Sequence, residues 1–447
     1  MNDKIVLLAA ALLFLYSAPA FGDAVTMREA INRALEQNHL LQAAALQQSA
    51  AEEEVGASRS RYLPRIYLES GAVLSNRPST VFMMKLDEAR IDPASDFTAN
   101  SLNHPSARGD FRTAVKLEQP LLDLGISTGV ELAAKDAESA AVLLESRREQ
   151  VAFRVYLAYL EVRKAHAYSD ISDQAVANAR EHRRLAELRE KDGIGLKSDQ
   201  LRAATALAEA EQRLLSSRND LLLARMRLNL AVGGAPGGAL DISTVPDLDQ
   251  ATLAQGELVA LAQKSRPDLR IAEKTLEKGA LAVRQARNAY LPTIYAAADY
   301  QVNDRDLPLG WDKDSWNVGV NLRWELFDGS RRAHAKQKAE LSRRAAAALL
   351  ENERREVALQ VTESVLRREE AGLRLESARA ALLAAEEGRR LVTLRFENGL
   401  SSMVELMDAE TALNRSRANL VQVENSVLSS TGEIYYQAGV FLKEVMR

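Results

Sequence analysis

Trp316-Asn317-Val318-Gly319-Val320-Asn321-Leu322-Arg323-Trp324-Glu325 runs straight into Leu326-Phe327-Asp328-Gly329. Trp316, Val318, Val320, Leu322 and Trp324 fall on one face of an extended chain. Asn317, Gly319, Asn321, Arg323 and Glu325 fall on the other. A period of two with an apolar and a polar face describes a strand between two different solvents. Tryptophans at both ends of the apolar face suit a membrane barrel, with an aromatic girdle outside and a wet lumen inside. A soluble sandwich strand shows the same alternation, so the stretch gains its weight from the segment it feeds. From Ser330 to about Phe396 the chain has no proline and is rich in alanine, leucine and charge, the composition of one long helix. At 1.5 Å per residue, roughly 65 residues reach about 100 Å. A barrel strand feeding so long a helix is the expectation that the rest of the chain has to meet.

Asn2-Asp3-Lys4, the apolar run Ile5–Tyr16 and Ser17-Ala18-Pro19-Ala20-Phe21-Gly22 read as a secretory signal peptide over residues 1–22, cleaved before Asp23. The apolar run is too short to span a bilayer, and no later segment has the ~18 uninterrupted apolar residues of a membrane helix. The exported chain therefore enters a membrane only through strands. The absence of cysteine excludes disulfides, thiol chemistry and a lipidated cysteine. A net charge of −4 argues against a nucleic-acid partner. Aromatics at 5% and charged residues at 27% give a helix-rich balance rather than that of a compact enzyme.

Arg61-Tyr62-Leu63-Pro64-Arg65-Ile66-Tyr67 returns as Ala289-Tyr290-Leu291-Pro292-Thr293-Ile294-Tyr295. Leu122-Asp123-Leu124-Gly125 is echoed by Phe327-Asp328-Gly329, Asp192-Gly193-Ile194 by Asn398-Gly399-Leu400, and Thr205-Ala206-Leu207 by Thr411-Ala412-Leu413. Echoes in one order describe a duplicated unit. Repeat one spans residues 23–234 and repeat two 250–447, joined by a glycine-rich linker at 235–249. Each repeat has the same order. An amphipathic helix (Thr26 to Arg61; Gln255 to Ala289) ends at Tyr-Leu-Pro, because proline cannot continue it. Two strands come next, at about 66–74 and 111–118, then at about 294–302 and 316–325. The loop between the first two is long and polar. Helical hairpins at about 126–232 and 330–440 turn at Gly193 and Gly399. Leu207, Leu214, Leu221 and Leu228 recur every seven residues, as do Leu413, Leu420, Val427 and Ile434. With the small row Ala210, Ser217, Ala224 and Ala231, this predicts close left-handed coiled-coil packing. Four strands cannot close a membrane barrel, so assembly is required; a dimer would bring eight and a trimer twelve.

With the doubled Tyr-Leu-Pro, the Asp328-Gly329 corner and the tip segments Asp192-Gly193-Ile194 and Asn398 to Ala409, the chain resembles the TolC-like outer-membrane efflux family over nearly its whole mature length. The resemblance implies a mainly α protein with a membrane β-barrel: a homotrimer whose shared twelve-stranded barrel continues into a coiled-coil periplasmic tunnel. It implies outer-membrane lipid around the barrel, a periplasmic membrane-fusion adaptor on the tips Asp192, Gly193, Ile194, Asn398, Gly399 and Leu400, and an inner-membrane RND or ABC pump. It also implies a passive duct for small molecules such as drugs, with the exit duct of an ABC protein-secretion system as the alternative. A periplasm-spanning coiled-coil scaffold is the rival from another class.

Glu405 and Asp408 stand three apart and share one helix face. As carboxylates near a helix N-terminus they need no other job than to suit the dipole. The resemblance gives them a second one, as acidic rings at the periplasmic mouth, with Asp199 as the matching position on the first hairpin. Phe396 stands where the pattern of the family's best-known member leads one to expect a tyrosine and Ser401 where it leads one to expect an arginine. Closure is therefore expected to be held differently from a tyrosine–arginine–aspartate latch. Trp316 and Trp324 are the expected girdle, and Phe327 and Trp324 are expected to pack the strand-to-helix corner. The five histidines have no metal-ligand spacing. The arginine pairs of the long helix, Arg331-Arg332 among them, read as a solvated, salt-bridged face. No nucleophile motif, phosphate loop or dinucleotide fingerprint is present, and neither enzyme activity nor a cofactor is expected.

Overall fold

The computed structural model describes residues 24–235, 237–243, 254–311 and 313–446. The expected signal peptide lies outside the described residues, as do Pro236 and residues 244–249 of the expected linker. The chain forms two compact units, one of Met1–Leu46, Ala141–Ile271 and Glu351–Arg447, the other of Gln47–Ala140 and Ala272–Leu350. In order, the elements are α1 (Met27–Gln37), α2 (His39–Ser60), β1 (Arg65–Ser75), α3 (Pro78–Asp87), α4 (Pro93–Asp96), α5 (Ala99–Asn103), β2 (Arg108–Leu122), α6 (Leu124–Lys191) and α7 (Lys197–Val232). They continue with α8 (Gln255–Ser265), α9 (Pro267–Asn288), β3 (Thr293–Asp304), β4 (Lys313–Arg323), α10 (Arg331–Glu397), α11 (Met403–Gln437) and α12 (Phe441–Val445). Among the described residues no helix is long and apolar enough to cross a membrane.

The second unit carries a four-stranded antiparallel sheet in the order β1-β2-β3-β4. Its register extends the alternation of Trp316–Leu322 across every strand. Leu68 pairs with Val115, Val115 with Tyr300 and Tyr300 with Trp316; Ala298 pairs with Leu117 and Val318. Directly paired residues share a face, so Ile66, Leu68, Val115, Leu117, Val318, Val320 and Leu322 make one apolar surface. Tyr67, Glu69, Lys116, Glu118, Asp299 and Asn317 make the opposite, polar one. On the apolar surface Ile66, Leu68, Val115, Val318, Val320 and Leu322 are exposed, Leu117 is half-buried, and Thr113 and Val302, at the end away from the long helices, are buried. Tyr67 donates to Glu118 at 3.1 Å and Lys116 pairs with Glu69 across the polar side. Strand β4 ends at Arg323, so Trp324 and Glu325 lie beyond it; the Trp324 indole N–H instead donates to the Tyr290 carbonyl at 3.0 Å.

The structure corrects several expectations. Each leading helix is two helices. Asn38 is extended and its side-chain oxygen accepts from the Leu40 N–H at 2.9 Å, ending α1 and capping α2. Arg266 is extended because Pro267 comes after it and opens α9. The polar loop between β1 and β2 holds three short helices. Phe327 does not pack the corner within the chain; it is 81% exposed. Arg332 is buried rather than solvated: its backbone N–H and Nε both donate to Asp328, at 3.0 and 2.9 Å, and its guanidinium lies over Tyr290. Asp328 thus caps α10 where Gly329 takes a left-handed turn.

The first unit buries the apolar faces of α1, α6, α7 and α11 in one core around Ile31, Val155, Tyr156, Tyr159, Leu160, Leu228 and Phe441. Phe153 stacks on Tyr436 with centroids 4.4 Å apart and meets Phe441 edge-on. The small residues Ala203, Ala210, Ser217 and Ala224 are buried along α7 beside Leu207, Leu221 and Leu228, which lets the helices approach closely.

Candidate functional site at the hairpin tips

Both hairpin tips are built alike. At the first, Ile194 N–H bonds to the Arg189 carbonyl and Gly193 N–H to Glu190, each at 3.0 Å. At the second, Leu400 N–H bonds to the Arg395 carbonyl at 2.7 Å and Gly399 N–H to Phe396 at 3.1 Å. These pairs satisfy the last carbonyls of α6 and α10 in a Schellman motif, which needs a left-handed residue after the helix. Gly193 at φ 74° and Gly399 at φ 73° supply it. The next apolar residues, Ile194 and Leu400, are left exposed. Asp192 and Asn398 come directly after the last helical residues, and Asn398 Nδ2 donates to the Leu394 carbonyl at 2.7 Å.

The tips differ in one arginine. Arg395 closes its own turn, donating to the Leu400 carbonyl at 3.2 Å. Arg189, at the same distance before its glycine, crosses to the other hairpin. Its guanidinium lies 4.0 Å from the centroid of the Phe396 ring and donates to the Phe396 carbonyl at 2.6 Å. Phe396 is buried among Ala186, Ala203, Met403 and Leu406. Arg189, Asp199, Phe396, Ser401 and Gly399 border one cleft of about 400 Å³. The structure therefore brings three of the expected gate residues together and adds Arg189, which sequence reasoning missed. Its signal was positional: it stands four residues before Gly193, as Arg395 does before Gly399.

Glu405 and Asp408 are exposed on α11. Ser402 caps this helix, accepting from the Glu405 N–H at 3.3 Å, and the Ser401 hydroxyl donates to the Glu405 carboxylate. Ser401 thus orients an acidic side chain instead of supplying a cation.

One helical turn further, Glu410 was also missed. It is buried, at 6% exposure. It accepts from Arg389 Nε at 2.6 Å and Asn178 Nδ2 at 3.2 Å, and His182 Nε2 stands 3.5 Å away. Burial pushes its carboxyl up, but the hydrogen bond and charge of Arg389, with His182 beside it, outweigh that and hold it at about 2. A carboxylate on the seam of Met403, Leu406 and Leu413 was the readable sign. It joins the inner hairpin, α10 and α11, to α6 of the outer one. Arg163–Glu424 at 3.1 Å, Gln174–Arg417 at 2.9 Å and the Tyr168 hydroxyl on the Ala418 carbonyl at 3.3 Å continue the same junction.

Trp316 lies exposed at one end of the apolar sheet face, and Trp324 is exposed just past β4.

Known proteins match the chain in family, in sequence and in fold. The family model described as outer membrane efflux protein matches residues 30–234 and 258–439. The outer membrane efflux protein BepC of Brucella suis biovar 1 is 23% identical over 338 residues, 71% of each chain. Protein CyaE of Bordetella pertussis is 24% identical over 398 residues, 87% of this chain and 78% of its own. The outer membrane protein VceC of Vibrio cholerae shares the fold, with a TM-score of 0.76 at 18% identity over 93% of this chain and 96% of that one.

Proposed function

The chain belongs to the outer membrane efflux protein family, and from that premise we propose that it is the passive exit duct of a tripartite export system, carrying small toxic molecules from the periplasm to the exterior. The outer membrane is its place in the cell. The observation that carries the proposal is the sheet with two solvents. Its apolar face is exposed on β1 and β4 and at Val115 and Tyr300 between them, its polar face carries paired charges, and β1 and β4 each have a partner on one side only. In lipid such edges have to be satisfied, so β4 of one copy pairs with β1 of the next. Three copies close a twelve-stranded barrel, with Trp316 and Trp324 in its girdle. The hairpins form the periplasmic part of the duct.

The tips Asp192–Ile194 and Asn398–Leu400 seat a periplasmic adaptor, whose inner-membrane pump supplies the energy. Exposed Ile194 and Leu400 give that contact an apolar centre. Glu405 and Asp408 from three copies ring the periplasmic mouth and favour cations. The Arg189–Phe396 contact, with Asp199 beside it, holds the inner hairpin against the outer one in the closed duct.

The experiment is a photo-crosslinker at Gly399→Cys in intact cells, which the cysteine-free chain permits, paired with conductance of the purified trimer in a planar bilayer. Capture of an adaptor whose partner is a proton-driven pump, together with conductance, is the expected result. A well-folded trimer that neither conducts nor captures an adaptor sinks the duct and leaves a scaffold.

A further inference from the structure

We propose that the segment between β1 and β2, residues 76–107, is a strap across the lumen side of the sheet that sets the size of molecule able to pass the outward mouth. The inference rests on the assignment of the polar face to the lumen. Strands β1 and β2 are entered from α2 and left into α6 at one end, so this segment lies at the opposite, outward end.

Register places the strap. Arg108, Asp110, Arg112 and Ala114 alternate onto one face of β2, and pairing of Arg112 with Asn303 and of Ala114 with Gln301 puts these β3 residues on it too. This is the polar face of Lys116 and Asp299. Towards the helices that face is open, and Glu118 and Arg323 are exposed. At the outward end Asp110 and Gln301 are buried and Asn303 is only 1% exposed. Thr113 and Val302 on the opposite face are buried at this end as well, so burial marks a covered strand end and side-chain contacts pick the face. Glu88, just after α3, makes its contact on the polar one. Its side chain is fully buried and paired with Arg108, and Asp87 and Glu88 both stand close enough to Asp110 for their charges to act on it. Asn303 Nδ2 donates to Asp110 at 2.8 Å and Gln301 Nε2 to Asn303 at 2.6 Å, completing a polar floor beneath the strap.

Charges fasten the strap together with a small apolar contact in which Val81 and Met84 are buried. Lys85 pairs with Asp96, fixing α3 to α4, and Asp96 also accepts from the Asp92 N–H at 2.8 Å. Arg90 reaches Asp306 on the β3–β4 turn at 3.5 Å. Phe82 and Phe97 meet edge-on at 5.8 Å. Beneath it, Glu88 Oε1, Arg108 Nε and Asp110 Oδ1 are buried with no hydrogen-bond partner in the protein. A buried pair left partly unsatisfied is a poor device for stability alone. It suits a contact that fixes a position. Folded onto a lumen wall, the strap occupies cross-section that each copy in the assembly narrows again.

The test probes access from outside, where the periplasmic closure has no bearing. Asp299→Cys on the polar face and Val318→Cys on the apolar face are each placed in the full-length protein in intact cells. Both are treated with a small charged methanethiosulfonate and with a bulky impermeant maleimide. Asp299→Cys should react with the small reagent and at least tenfold more slowly with the bulky one; Val318→Cys should react with neither. Adding Glu88→Ala should raise the bulky rate about tenfold and leave the small rate unchanged. Lys85→Ala, which loosens the strap without touching the sheet, should act in the same direction. If both variants assemble at normal abundance and the bulky rate does not move, the strap does not set the passage. If Asp299→Cys fails with the small reagent, or Val318→Cys reacts, the lumen assignment itself falls.

Discussion

The Tyr156 ring fills the space beside Gly432 so fully that a Cβ on Gly432 would stand 2.3 Å from its Cε1. The Tyr156 hydroxyl donates to the Leu428 carbonyl at 2.6 Å, four residues before that glycine. One side chain of the outer hairpin is thereby seated in a notch of α11, and burial pushes its phenol up so that it stays neutral. Gly432→Ala overpacks this notch and should destabilise by about 1–3 kcal/mol or more. Tyr156→Phe keeps the ring and loses one hydrogen bond, about 1 kcal/mol. Thermal unfolding of the purified protein should rank the two in that order; equal midpoints would show that the notch yields.

Glu410 makes acid stability testable. Its folded value near 2 lies below the ordinary 4.5. Its contribution is therefore complete above about 4.5 and is lost as pH falls towards about 2, amounting to something of the order of 3 kcal/mol. Glu410→Gln should lower stability at neutral pH by about 2–3 kcal/mol, since Arg389 loses a charged partner. It should also flatten the unfolding midpoint between about pH 4.5 and 2. A variant whose pH profile parallels the wild type would show that the carboxylate does not titrate in this window.

Arg189→Ala removes both the stacking on Phe396 and the bond to its carbonyl, together worth about 2 kcal/mol. If this contact holds the closed state, the open fraction of a mostly closed channel should rise about thirtyfold. Phe396→Leu keeps the carbonyl and should have a smaller effect. Single-channel recording of both variants checks the order. An unchanged open probability in Arg189→Ala would place the closure elsewhere.

The two sheet faces predict opposite tolerance. If the apolar face meets lipid as proposed, Val318→Arg puts a cation there and should cost about 2–4 kcal/mol near the middle of the bilayer. On the same reading its neighbour Asn317→Arg projects into water and should assemble normally while altering ion selectivity. The amount of heat-resistant assembled protein in outer-membrane fractions separates them. Equal loss in both would argue against the alternation.

Periodicity made much of this protein legible. The two-residue alternation of Trp316–Leu322 and the seven-residue spacing of Leu207 to Leu228 are local consequences of strand and helix geometry. Gly193 and Gly399 mark turns that no other residue makes at low cost. Proline and asparagine also act locally, so the breaks at Asn38 and Arg266 were readable in principle; the apolar pattern running past them hid them. Tertiary structure alone decided the pairings between distant segments. Arg189 and Arg395 are equivalent along the chain, yet only Arg189 meets a ring from the other hairpin. Glu405 and Glu410 are both carboxylates on one helix, and packing against α6 leaves one in water and buries the other beside Arg389 and His182. Nor does the composition of residues 76–107 announce a folded strap, because ion pairs and a few scattered apolar residues tie it and no sustained apolar period runs through it. Local geometry is set by neighbours along the chain, whereas the state of a charge is set by which neighbours in space replace its water.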